Sequence, residues 1–146
     1  MNTYTSKQIT EDFKFLINNL EKIHPNPFHN ISKEDLNRTL NNLAIRFEKF
    51  NEPTFYFELM KIFAEIKDSH TRVKGIGRIL SEEKYPIRFK CLDSKYFISA
   101  IDVRDKEHIG SKVHSLNGIQ IKDVVSKISK VITYENDIVL SNAIEQ

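Results

Sequence analysis

Apolar residues recur at steps of three and four in the first half of the chain and at steps of two later on. Ile9, Phe13, Leu16, Leu20 and Ile23 form one helical stripe. Thr5 stands where an N-cap would, with Gln8 as its reciprocal partner. His24-Pro25-Asn26-Pro27 must end this helix, because a proline drives the residue before it out of the helical region. A second helix starts at Ser32, where Ser32-Lys33-Glu34-Asp35 resembles a capping box with Asp in place of Glu. Leu36, Leu40, Leu43, Phe47 and Phe50 carry its stripe, and Asn51-Glu52-Pro53 breaks it. Pro53 suits the first turn of a third helix, where its missing N–H costs nothing. Phe55, Leu59, Ile62, Phe63 and Ile66 line that helix, and Phe57 and Met60 widen the stripe. The third helix is therefore predicted to be the most buried of the three.

The period changes after Thr71. Lys74-Gly75-Ile76-Gly77-Arg78 reads as a loop and lacks the third glycine of a dinucleotide fingerprint. Ile87, Phe89 and Cys91 then alternate with Arg88 and Lys90. Asp93-Ser94 turns the chain, and Tyr96 to Ile101 runs back as a β-hairpin. A polar loop spans Asp102 to Gly110. Asn117-Gly118 between short apolar runs is the strongest hairpin signal in the chain. Asp123 is placed to cap a short helix carrying Val124, Val125, Ile128, Val131 and Ile132, and Tyr134 to Gln146 reads as helical. The predicted class is α+β. A three-helix bundle over residues 1–73 precedes a small antiparallel region with one or two helices over 74–146.

Composition narrows the function classes. Apolar residues at 40% and charged residues at 29% match a globular chain, and ten Phe and five Tyr supply a core. The net charge is only +2, with signs alternating and no basic stripe, so nucleic acid is not an expected partner. No apolar run approaches the about 20 residues that span a bilayer. The start, Met1-Asn2-Thr3-Tyr4-Thr5, lacks the basic and apolar regions of a secretory leader, which favours the cytoplasm, although a leader-trimmed chain would read the same. The lone Cys91 rules out an internal disulfide, and its phase with Ile87 and Phe89 makes it a core residue.

Asp68-Ser69-His70-Thr71 is the stretch where the pattern meets chemistry. An apolar helix delivers His70 to its C-terminal end, packed yet reachable, as a general base requires. From the residues alone the stronger reading is a helix-end His that interacts with the dipole. His24 and His29 flank two prolines, but no Cys or clustered carboxylate completes a zinc set, so no metal or cofactor is expected. His24 then serves as a helix cap, and His108 and His114 read as surface residues.

The order of these features resembles the N-terminal half of the tail-specific (S41) serine peptidases, particularly the branch related to tricorn protease. His24-Pro25-Asn26 is similar to the "HPN" that ends that family's first helix. Asp68-Ser69-His70-Thr71 is similar to its "D-G-H-T". The Pro86 hairpin and Gly110 to Ile121 resemble the entry to its PDZ-like region, "G-x-x-[IV]-x-x-[IL]-N-G". The resemblance implies that residues 74–146 form an incomplete PDZ-like region and that His70 is the catalytic base. It gives Ser69, in place of the commoner Gly, a weaker supporting role near the oxyanion, and makes Asp68 a structural hydrogen-bonder. It also implies that the nucleophilic Ser and oxyanion donors belong to a later α/β domain. The expected function is thus the portion of a peptidase without the nucleophile, inactive alone, with a peptide or protein substrate. The alternative is a PDZ-like peptide-binding module without enzymatic activity. Unfinished strands leave open edges, so self-association into a homo-oligomer is a further expectation.

Overall fold

Three helices form where the stripes place them. In the computed structural model, which describes residues 4–75, 77 and 85–145, these are α1 (Ser6–Ile23), α2 (Lys33–Ile45) and α3 (Glu52–Ala64). Thr5 and Gln8 make the full reciprocal capping box at α1. Ser32 accepts the Asp35 N–H at 3.0 Å, but the return arm differs from a capping box. The Asp35 carboxylate takes the Ser32 hydroxyl at 2.7 Å, the shorter side chain meeting the hydroxyl. Asn51 caps α3 by accepting the Thr54 N–H at 2.9 Å, and Pro53 lies in its first turn.

The deepest helix is α2, not α3 as expected. Leu36, Leu40 and Ala44 have no exposed surface and Leu43 almost none, because α2 packs against both α1 and α3. On α3, Phe55, Ile62, Phe63 and Ala64 are buried, while Phe57, Leu59 and Met60 are only half-buried. Phe55 joins the helices by stacking on Phe13 and meeting Phe47 edge-on, with centroids 6.3 and 4.8 Å apart. Phe47 has left α2 and sits in a short 3-10 turn, Phe47–Lys49.

The second half holds two small antiparallel pairs, so the chain is α+β. β1 (Ile87–Leu92) pairs with β2 (Lys95–Ile101), and β3 (Ser115–Leu116) pairs with β4 (Ile119–Gln120). Both turns use positive φ at two successive residues: Asp93 (48°) and Ser94 (58°), then Asn117 (50°) and Gly118 (78°). That is the backbone of the tight hairpin turn whose twist suits paired strands. Cys91 is half-buried on the inner phase of β1, beside buried Tyr96 on β2. His108 and His114 are exposed.

α4 (Ile121–Ile128) begins two residues before the expected Asp123 cap. Its Ile121 N–H is already satisfied by the His114 carbonyl at 2.9 Å, so β4 runs straight into the helix. Val131 and Ile132 lie beyond its end. α5 (Asp137–Ile144) is capped by Asn136, which accepts the Ile138 and Val139 N–H groups. The expected helix to Gln146 reaches one residue outside those described, as does the Lys74–Arg78 loop at residues 76 and 78.

Both edges of the first hairpin are engaged. Residues 110–113 bond to the outer side of β2, through Ile98 N–H to Ser111 O at 3.0 Å and Val113 N–H to Tyr96 O at 2.8 Å. On β1, Cys91 N–H donates to Glu145 Oε1 at 2.8 Å, and Lys90 pairs with Glu145 Oε2 at 2.8 Å. Less edge is therefore open than the pattern suggested. Among the described residues, no helix is long and apolar enough to cross a membrane.

Candidate functional site

α3 ends earlier than its stripe. The last regular residue is Ala64, and Ile66, with no exposed surface, anchors the chain into the core beyond it. Lys67 then takes a φ of 53°, a left-handed conformation that turns the backbone away from the helix axis. Asp68 to Thr71 therefore form a loop. His70 is not packed at a helix end as expected: its side chain is 92% exposed.

Asp68 organises the loop. Its Oδ2 accepts the Thr71 hydroxyl at 2.7 Å and faces His24 Nε2 at 2.5 Å, and its Oδ1 accepts the His70 N–H at 3.0 Å. His24 Nδ1 accepts the Asn26 N–H at 3.0 Å, which places the ring proton on Nε2, aimed at Asp68. Burial pushes the Asp68 carboxyl up, but the bonds from Thr71, the His70 backbone and His24 outweigh it. They hold the group well below the usual carboxylate range. With both ring nitrogens engaged in this way, His24 makes no clip with His29, whose Nδ1 faces Asn26 O at 2.9 Å. Asn30 adds a second tie between the same loops, donating to Ile66 O at 3.2 Å.

His70 Nδ1 lies 3.4 Å from Asp68 Oδ1 and 3.5 Å from Ser69 Oγ. Nε2 takes part in neither contact. Ser69 turns elsewhere: its N–H and hydroxyl both donate to Glu135 Oε1, at 2.7 and 2.8 Å. These two bonds, backbone first, hold the Glu135 carboxyl below its ordinary value, against the nearby charge of Asp68. Glu135 is the site residue that the sequence pattern missed. It lies 66 positions from Ser69, in the turn before α5, and nothing local marks it. Carboxylates do cluster near a histidine after all, since donor atoms of Asp68, His70 and Glu135 all lie within 4.8 Å of one another.

The loop separates two concavities. On the α1 side is an open groove of about 1060 Å³, lined by Phe15, Leu16, Leu20 and Ile23 and by His24, Asp68 and His70. Phe15 and Ile23 are 71% and 79% exposed there, large for apolar side chains. On the other side, a space of about 370 Å³ lies between Met60 and Phe63 of α3, Ser69, and Val131, Ile132 and Val139. An apolar wall beside an exposed imidazole can hold an extended chain and exchange a proton with it.

No protein-family model matches the chain, and neither a curated protein nor a solved structure matches it.

Proposed function

We propose that the chain is the N-terminal portion, without the nucleophile, of an S41-type serine peptidase, and that the intact protein hydrolyses peptide bonds. One observation carries the reading. His70 stands at the rim of an open apolar groove, with Nδ1 3.4 Å from the Asp68 carboxylate and Nε2 outside that contact. In a general base, the carboxylate orients one ring nitrogen and stabilises the imidazolium, while the other nitrogen takes the nucleophile's proton. The distance is longer than a hydrogen bond but within ion-pair range, so the carboxylate acts on the ring through its charge. Ser69 supports the loop through Glu135 in this reading and is not the nucleophile, since its hydroxyl proton is committed to a carboxylate. The groove beside His70 takes an extended peptide, with Phe15 and Ile23 contacting its apolar side chains.

Alone, the chain lacks a nucleophile and is expected to turn over nothing, because nucleophile, base and oxyanion donors act as a unit. The test is the native gene product. It is expected to continue past Gln146 into a domain with a fluorophosphonate-reactive Ser. Its hydrolysis of unstructured peptides is expected to fall about 10²–10⁴-fold in His70→Ala. A reading frame that ends at Gln146 with no partner supplying the Ser, or hydrolysis untouched by His70→Ala, overturns the proposal.

A further inference from the structure

Asp68, His70 and Glu135 also have the makings of a cation site, whatever the fate of the peptidase reading. Two carboxylates and one imidazole converge from two loops, with donor atoms within 4.8 Å of one another. Each carboxylate already accepts hydrogen bonds from its own surroundings, and the Ser69 hydroxyl lies between Glu135 and His70. Asp68 Oδ2 takes the bonds from His24 and Thr71, and Glu135 Oε1 takes both bonds from Ser69. Asp68 Oδ1 keeps one bond, from the His70 backbone, and Glu135 Oε2 takes part in none of these. Hydrogen bonds to ligating carboxylates are what orient the ligands in metal sites. The charge is also unbalanced. Among the described residues no Lys or Arg pairs with Asp68 or Glu135, and the two carboxylates repel one another. A dication relieves that repulsion.

We propose that Asp68, His70 and Glu135 bind one divalent cation of the zinc class, with water in the remaining position. The imidazole selects this class over magnesium and calcium, which prefer all-oxygen ligands. Donors about 2.1 Å from a zinc ion stand about 3.4 Å apart in a tetrahedron, so closure needs movements of about 1 Å. The exposed side chain of His70 has the freedom to make them. A cation on Nδ1 leaves the ring proton on Nε2, which then accepts no other. Metal binding and proton acceptance therefore exclude one another at His70.

The test is titration of the whole chain with zinc chloride against a chromogenic chelator, with magnesium chloride in parallel. One equivalent of zinc is expected to bind, with no competition from magnesium. His70→Ala and Glu135→Gln are each expected to weaken binding by more than about 10-fold, a loss that even outer-shell changes reach. His114→Ala, outside the cluster, is expected to leave it unchanged. Circular dichroism checks that each variant is folded. Absence of zinc binding by the unaltered chain, or binding that survives His70→Ala with Glu135→Gln, overturns the proposal. Neither readout involves peptide hydrolysis, so it stands or falls separately from the peptidase reading.

Discussion

The ring of His24 spans two loops. Its Nδ1 accepts from Asn26 in the Pro25–Pro27 turn, and its Nε2 meets Asp68 in the loop after α3. Asp68 in turn gathers His24, Thr71 and the His70 backbone around one carboxylate whose side chain is only 17% exposed. Removing it leaves three donors facing a void. Asp68→Ala is expected to lower unfolding stability by about 1.5–3 kcal/mol, the range for hydrogen bonds to a charged group. Urea denaturation checks it. His70 itself is so exposed that His70→Ala is expected to move stability by less than about 0.5 kcal/mol. That contrast separates the scaffold of the loop from the group that would do its chemistry. A loss at His70 as large as that at Asp68 would contradict it.

Among the elements, the stripe on α3 is wider than that on α2, yet α2 is the deeper helix. A stripe records which face is apolar. It does not record how many neighbours cover that face. α2 has α1 on one side and α3 on the other, so Leu40 is sealed, whereas Leu59 of α3 remains half-buried. Leu40→Ala is expected to cost about 2–5 kcal/mol through transfer and cavity terms together. Leu59→Ala is expected to cost about 1 kcal/mol, because less apolar area is lost. Thermal or urea unfolding of the pair orders the two helices. Equal losses would mean that α3 is as enclosed as its pattern implies. The end of α3 carries the same lesson. Ile66 continues the apolar spacing, but the helix has stopped at Ala64, and the buried Ile66 side chain anchors a turn completed by Lys67 at positive φ.

For the whole molecule, long-range polar contacts join the two halves and brace the sheet. Ser69 and Glu135 link the His70 loop to the turn before α5, and Glu145 covers the outer edge of β1 at Cys91. The carboxyls of Asp68, Glu135 and Glu145 all titrate below their ordinary values in the folded chain. The folded state therefore binds fewer protons than the unfolded one near those values. The stability these groups contribute is full above about pH 5, where they would be ionised in either state, and is lost as pH falls through their ordinary and then their lowered values. The urea midpoint, measured with chelator present, is expected to hold from pH 7 to about pH 5 and to drop below about pH 4. In Asp68→Asn with Glu145→Gln that drop is expected to shrink. An undiminished drop would place the acid sensitivity elsewhere.

The sequence alone determined the helices and turns because their signals are local. Thr5 with Gln8, Ser32, Pro53, Asp93-Ser94 and Asn117-Gly118 act on backbone within a few residues, and the apolar period needs only one face to be covered. His70 was legible for a similar reason, as a titratable group just past an apolar helix. Its surroundings were not. Glu135 stands 66 residues from Ser69, and His24 stands 44 residues from Asp68. Those meetings depend on how the helices pack and on where the chain returns before α5. Only the tertiary structure decided that His70 is exposed beside a groove, that Asp68 is committed to His24 and Thr71, and that a second carboxylate arrives at the same loop. Side-chain pairing across folded distance leaves no periodic trace in a chain, since no local hydrogen bond or turn requires it.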